Sequence, residues 1–164
     1  MTTTAPFDEI LAREAADTLE KLAFLFAYPE EDRERFEAPD AVAVRVDFNG
    51  PFNGSLLMVV SSGILQELAT NMLGIDEDDL VEESQKLDAL KETLNVICGN
   101  LLPAIAGRQA VFNIAAPQME APAEEPGAAK GHLPVGLARL GLDQGSCDLF
   151  FFVDGDLPEG VTLD

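Results

Sequence analysis

The chain has 164 residues, 47% of them apolar and 24% charged, the mix of one ordinary globular domain rather than of a disordered chain. Ten Lys and Arg against thirty Asp and Glu give a formal net charge of -20, a surface that repels phosphate backbones and anionic lipid and argues against nucleic acid and membranes as partners. Cys98, Cys147 and the single His132 cannot build a zinc site by themselves; with no signal-peptide pattern at the start and no apolar run near the ~18 residues of a membrane span, a cytoplasmic protein with two buried free thiols is expected.

In chain order, Thr4-Ala-Pro6 followed by Asp8 and Glu9 reads as a helix start, with acids where the macrodipole favours them. Leu11, Ala15, Leu22, Leu25 and Phe26 then form one apolar stripe, which Pro29 ends. Residues 30–40 are a charged connection. From Ala41 the period changes to two: Val42, Val44, Val46 and Phe48 alternate with Ala43, Arg45 and Asp47, the pattern of a half-buried strand. Asn49-Gly50-Pro51 and Asn53-Gly54 turn the chain into a more buried strand over 55–60, so a hairpin is expected.

Ser61 or Ser62 can cap a helix carrying Ile64, Leu65, Leu68, Met72 and Leu73, which stops at Gly74. The acidic segment 75–83 opens with Asp76 and Asp78 at the spacing of a calcium loop. Val81 stands where such a loop needs glycine, however, and Leu87 where it needs its closing Glu, so the segment reads as a solvated connector. A long helix is expected from about Gln85 to about Ala106, with Pro103 marking a kink or an early end. A strand over 110–115 follows. A Pro, Ala and Glu-rich stretch over 117–132, holding His132, reads as a mobile excursion, and 133–142 with 147–153 as a closing hairpin.

The order describes a single α/β (α+β) domain over 1–164: a mostly antiparallel sheet packed against long helices, built from two pseudo-repeated helix-plus-strands halves. Glu20-Lys-Leu-Ala23 of the first half aligns with Glu92-Thr-Leu-Asn95 of the second, placing Leu22 on Leu94.

The second long helix carries the chemistry. At about 100° per residue, Leu90, Leu94, Ile97 and Leu101 fall within an arc of about 80° beside Leu87. Asp88, Glu92, Asn95 and Gly99 share the opposite face, with Glu92 and Asn95 neighbours three residues apart. A carboxylate and a carboxamide are thus held side by side, beside a glycine that leaves room for something to approach. By spacing alone the pair reads first as decoration of a wet helix face, because Glu-x-x-Asn is a very short pattern.

The fuller string is more specific. Asp88-Ala-Leu-Lys-Glu92-Thr-Leu-Asn95-Val-Ile-Cys-Gly99-Asn100, preceded by Phe48-Asn-Gly-Pro-Phe-Asn-Gly54 and Leu68-Ala-Thr-Asn-Met-Leu-Gly74, resembles the CheX group of the CheC, CheX and FliY phosphatases of bacterial chemotaxis. The resemblance implies a helix that docks on a phosphorylated, CheY-like response-regulator receiver and hastens hydrolysis of its aspartyl phosphate. Asn95 would hold the attacking water, Glu92 would pair with the receiver lysine beside the phosphoryl group, and Asp88, Lys91, Val96 and Gly99 would line the contact. It implies no cofactor or metal of the protein's own, the Mg²⁺ belonging to the receiver, and a homodimer formed through the sheet. Ala23 stands where a second motif would need Asn, so one site per chain is expected, as in the CheX branch. The other reading is a non-catalytic module that binds a receiver or a flagellar-switch component through the same face. No Gly-x-x-x-x-Gly-Lys loop, Gly-x-Ser-x-Gly elbow or catalytic triad supports a self-contained enzyme.

Overall fold

The computed structural model describes residues 7–29, 41–76, 80–120, 134–143 and 145–154. Helix α1 spans Asp8–Ala23, followed by the two-residue strand β1 (Tyr28–Pro29) and the hairpin β2 (Ala41–Asn49) and β3 (Asn53–Ser61). A 3-10 turn at Ser62–Ile64 leads into α2 (Leu65–Leu73), and α3 runs over Glu83–Ala106. Short strands β4 (Asn113–Ile114) and β5 (Gln118–Glu120) precede the closing hairpin β6 (Gly136–Leu142) and β7 (Gly145–Asp154).

All seven strands join one antiparallel sheet in the order β1-β6-β7-β3-β2-β4, with β5 also pairing β2. Exchanging the first half (α1, β1, β2, β3) for the second (α3, β4 with β5, β6, β7) reverses this order onto itself. The two halves are therefore related by a pseudo-two-fold axis between β3 and β7, which pair from Asn53 opposite Asp154 to Val60 opposite Cys147.

Strand alternation decides which side chains meet the helices. Val44, Val46 and Phe48 of β2, Leu56, Met58 and Val60 of β3, Ala138, Leu140 and Leu142 of β6, and Cys147, Leu149 and Phe151 of β7 line one face and join a single core with the helices. Leu11, Ala15 and Leu19 enter that core from α1, Ile64, Leu65 and Leu68 from the α2 turn, and Leu90, Leu94, Ile97 and Leu101 from α3. The opposite sheet face holds a smaller apolar cluster of Ala41, Ala43, Leu57, Val59 and Phe150, also buried, so the central strands β3 and β7 are buried on both faces.

Several expectations need correction. Helix α1 ends at Ala23, not near Pro29, and its stripe is Leu11, Ala15 and Leu19, with Leu22 half-buried and Phe26 exposed. Its first turn is tied down by Asp8, whose Oδ1 accepts from the Leu137 N–H at 2.7 Å; the anticipated cap at Thr4-Ala-Pro6 lies outside the described residues. The duplication stands on topology rather than on the alignment of Glu20 with Glu92, which places buried Ala23 on exposed Asn95. The stretch 117–132 is not an excursion throughout: Gln118–Glu120 pair with β2, and Arg45 binds Glu120 at 2.9 Å and Asp47 at 3.2 Å. An open strand edge beside a guanidinium outweighs the Pro and Glu composition there. Residues 121–133, with His132, lie outside the described residues. The strand foreseen over 110–115 shrinks to Asn113–Ile114, and Pro103 sits inside α3 without ending it.

Candidate functional site

Helix α3 starts at Glu82, whose side chain accepts from the backbone at Gln85 while the Gln85 Oε1 accepts from the Glu82 N–H at 2.9 Å, a capping box that satisfies two of the free first-turn donors. Three turns of wholly buried leucine and isoleucine follow: Leu90, Leu94, Ile97 and Leu101 are each 0% exposed. That anchorage fixes the rotation of the helix about its axis. Asp88, Glu92, Asn95 and Gly99 consequently face outward and are exposed, as the 100° spacing requires. Lys91 and Val96 sit at the two borders of this face and are half-buried. The structure thus brings together all six residues singled out in the sequence.

Helix α1 packs antiparallel beside α3. The Asn100 Nδ2 donates to Thr18 Oγ1 at 3.2 Å, while further along α1 the Ala23 carbonyl accepts from Asn71 Nδ2 at 2.7 Å, and the next residue, Met72, lies with its sulfur 3.4 Å from Thr93 Oγ1. Thr93 is 0% exposed and its hydroxyl donates to the Ala89 carbonyl at 2.8 Å, so it locks α2 against the α3 segment bearing Glu92 and Asn95. Between α1 and α3 runs an open groove of about 610 Å³ lined by Glu14, Asp17, Thr18, Lys21, Leu22, Val96, Gly99, Asn100, Pro103, Ala104 and Arg108. Its walls carry both signs of charge, and the Lys21 ammonium is held above its usual pKa first by its hydrogen bond to Asp17, 3.0 Å away.

Two features of α3 open this surface. A methyl group added at Gly99 would meet nothing within 4 Å, so no part of the described chain needs glycine there. Pro103, one turn on, has no N–H to offer the Gly99 carbonyl. Backbone at Gly99 is therefore bare on its side-chain face and short of its helical donor.

Chemically the face is suited to positioning. A neutral carboxamide orients water without a change of protonation, and a carboxylate three residues away binds an ammonium. Among the described residues no three His, Cys, Asp or Glu side chains converge as a metal would require. No helix among them is long and apolar enough to cross a membrane. The groove with α1 and the exposed aromatic end of that helix were not foreseen; Leu25 and Phe26 read as the continuation of the helical stripe, and only the position of the helix end reveals otherwise.

The family model described as "Chemotaxis phosphatase CheX" matches residues 42–131, more than half of the chain. No curated protein matches it. Among solved structures, a CheX from Vibrio vulnificus is 16% identical, with a TM-score of 0.66 over 94% of this chain and 100% of that one. The CheX-CheY-BeF3-Mg+2 complex from Borrelia burgdorferi matches at 19% identity and a TM-score of 0.65, over 90% and 97% of the two chains. FliY from Thermotoga maritima matches at 16% identity and a TM-score of 0.53, over 96% and 94%. These likenesses establish a shared α+β fold.

Proposed function

The chain belongs to the CheX family of chemotaxis phosphatases, and from that premise we propose that it accelerates hydrolysis of the aspartyl phosphate on a CheY-like receiver. The observation that carries the reading is the exposed Glu92 and Asn95 pair on a helix whose other face is wholly buried core. The solved complex of a structural neighbour with CheY supports the partner class.

In the proposed mechanism, α3 docks over the receiver's phosphoryl site. The Asn95 carboxamide holds a water in line with phosphorus, and the Glu92 carboxylate pairs with the receiver lysine beside the phosphoryl oxygens. Water attacks phosphorus, the bond to the aspartyl oxygen breaks, and the products are the free carboxylate and inorganic phosphate. Mg²⁺ on the receiver neutralises the phosphoryl charge, so catalysis needs from this chain only position and electrostatics. Asp88, Lys91, Val96 and Gly99 border the contact. A homodimer formed through the sheet, and action in the cytoplasm, belong to the same reading; light scattering of the purified protein tests the first.

The decisive experiment follows the lifetime of a phosphorylated receiver with and without the purified protein. Asn95→Ala and Glu92→Ala are expected to abolish or sharply reduce the acceleration without loss of fold, since both side chains are exposed. No acceleration across the CheY-like receivers of the same cell overturns the proposal. Binding that survives Asn95→Ala, with no phosphatase effect in the wild type, assigns the face to a non-catalytic binding module instead.

A further inference from the structure

Beside the Glu92 and Asn95 face lies an apolar ridge that the described chain leaves open. Phe24 is 68% exposed and Phe26 70%, flanking Leu25, which is 5% exposed. Leu73 and Ile75, at the end of α2, are 48% and 36% exposed. The Asn71 bond to Ala23 and the Met72 contact with Thr93 join these two helix ends to each other and to the α3 segment that carries Glu92.

The backbone at Phe24 makes the exposure harder to explain locally. Its φ of 56° and ψ of 30° are left-handed, and it is the only non-glycine residue with positive φ among those described. It closes α1, with its N–H bonded to the Glu20 carbonyl at 3.0 Å and the Leu25 N–H to the Leu19 carbonyl at 3.1 Å. Helix α2 ends in the same conformation at Gly74, with φ 69° and ψ 30°, where glycine is the ordinary choice. A phenylalanine here strains the backbone and exposes a ring, and neither the cap nor the core benefits. Strained, exposed aromatic groups of this kind are characteristic of recognition surfaces.

Resting on the phosphatase reading above, we propose that Phe24, Phe26, Leu73 and Ile75 are the apolar anchor for the receiver domain, and that this ridge sets how tightly a given receiver is held while Glu92 and Asn95 act on its phosphoryl group. Continuity with the α3 face places both contacts within reach of one partner. Size argues the same way, because one helix face of a few short side chains supplies only part of the roughly 800 Å² per partner that a stable interface buries. Exposed Glu20 precedes the ridge on α1 and exposed Asp88 and Glu92 stand on the α3 face, while the neighbouring Lys21 is paired with Asp17, so the charge left to a partner is acidic and the matching receiver face has an apolar centre bordered by lysines.

The test uses Phe24→Gly, which suits the left-handed cap and removes only the ring, with Phe26→Ser as a second variant. The substrates are CheY-like receivers of the same cell charged with acetyl phosphate, and binding is measured to the same receivers activated with beryllium fluoride. Melting at or above the wild-type temperature, because glycine relieves the left-handed strain, a roughly tenfold rise in KM and Kd, and a much smaller change in the rate at saturating receiver are expected for Phe24→Gly. Unchanged KM and Kd in both variants, with Asn95→Ala inactive, overturn the ridge and leave the phosphatase reading standing. A wild-type protein that neither binds nor dephosphorylates any receiver overturns both. Conversion of a dimer to a monomer by Phe24→Gly at unchanged KM assigns the ridge to a second copy of this chain and also overturns the proposal.

Discussion

The Asn71 carboxamide donates to the Ala23 carbonyl at 2.7 Å across 48 residues of sequence, and this one bond joins the ends of α1 and α2. The cap at Phe24 and Leu25 already satisfies the Glu20 and Leu19 carbonyls, which leaves Ala23 to a partner from another element. Asn71 supplies it from the last turn of α2, one residue before Met72 meets Thr93. The rotation of α1, the aromatic ridge and the Glu92 segment of α3 are thereby placed relative to one another.

Asn71→Ala is therefore expected to destabilise the fold by about 1–2 kcal/mol, since a part-buried carbonyl loses its donor. Urea unfolding monitored by circular dichroism measures it. Because α1 would move with respect to α3, the same variant is expected to weaken receiver binding more than the stability loss alone explains, and a loss below about 0.5 kcal/mol would show that water replaces the carboxamide.

The β2–β3 hairpin was legible because a period of two permits one register only: shifting it would put Val44, Val46 and Phe48 on the other face. The face of α3 was legible for the same kind of reason, four buried apolar residues fixing where Glu92 and Asn95 point. Strand β5 was hidden because its pairing depends on the free edge of β2 and on Arg45, neither of which a Pro-rich composition announces. The end of α1 was hidden because its cap uses Phe24 where glycine would have signalled a stop. The groove required knowing that Thr18 meets Asn100, 82 positions away.

Burial pushes the Cys98 thiol up to about 12, above its ordinary value of 9.0. Below pH 9 both folded and unfolded chains keep this proton, and the fold loses nothing. Between about 9 and 12 the unfolded chain gives up the proton that the folded chain retains, so the contribution of Cys98 to stability falls as pH rises. Thermal melts from pH 8 to 11 are expected to show a decline that is smaller in Cys98→Ala, and at pH 8 the native wild type is expected to resist thiol reagents until denatured. Rapid native labelling at Cys98 would contradict its burial.

Gly54 makes a contrast with Gly99. A methyl group at Gly54 would run into the Phe152 carbonyl oxygen of the neighbouring strand and lie 2.8 Å from the ring of Phe48, so backbone, not a pliant side chain, blocks it. Gly54→Ala is expected to cost more than about 3 kcal/mol or to prevent folding, because β3 and β7 are the two central strands. Soluble expression and a melting curve decide it; a melting temperature within a few degrees of the wild type would mean that β3 and β7 separate easily at that end.

Gly99 predicts the opposite sign on stability and a loss of function. Glycine inside a helix costs roughly 0.5–1 kcal/mol relative to alanine, and at Gly99 the added methyl meets nothing within 4 Å, so Gly99→Ala is expected to stabilise the isolated protein by about that amount. The methyl would stand on the face shared by Glu92 and Asn95, where the proposed docking brings a receiver close to the helix. A KM for phosphorylated receiver raised severalfold, in a variant that melts higher than the wild type, is the expected combination. Bulk at this position tests it further: Gly99→Val is expected to weaken docking more, at some cost in helix propensity relative to Gly99→Ala. If both variants keep the wild-type KM, the receiver does not approach α3 at Gly99 and the docked helix face ends nearer to Asn95.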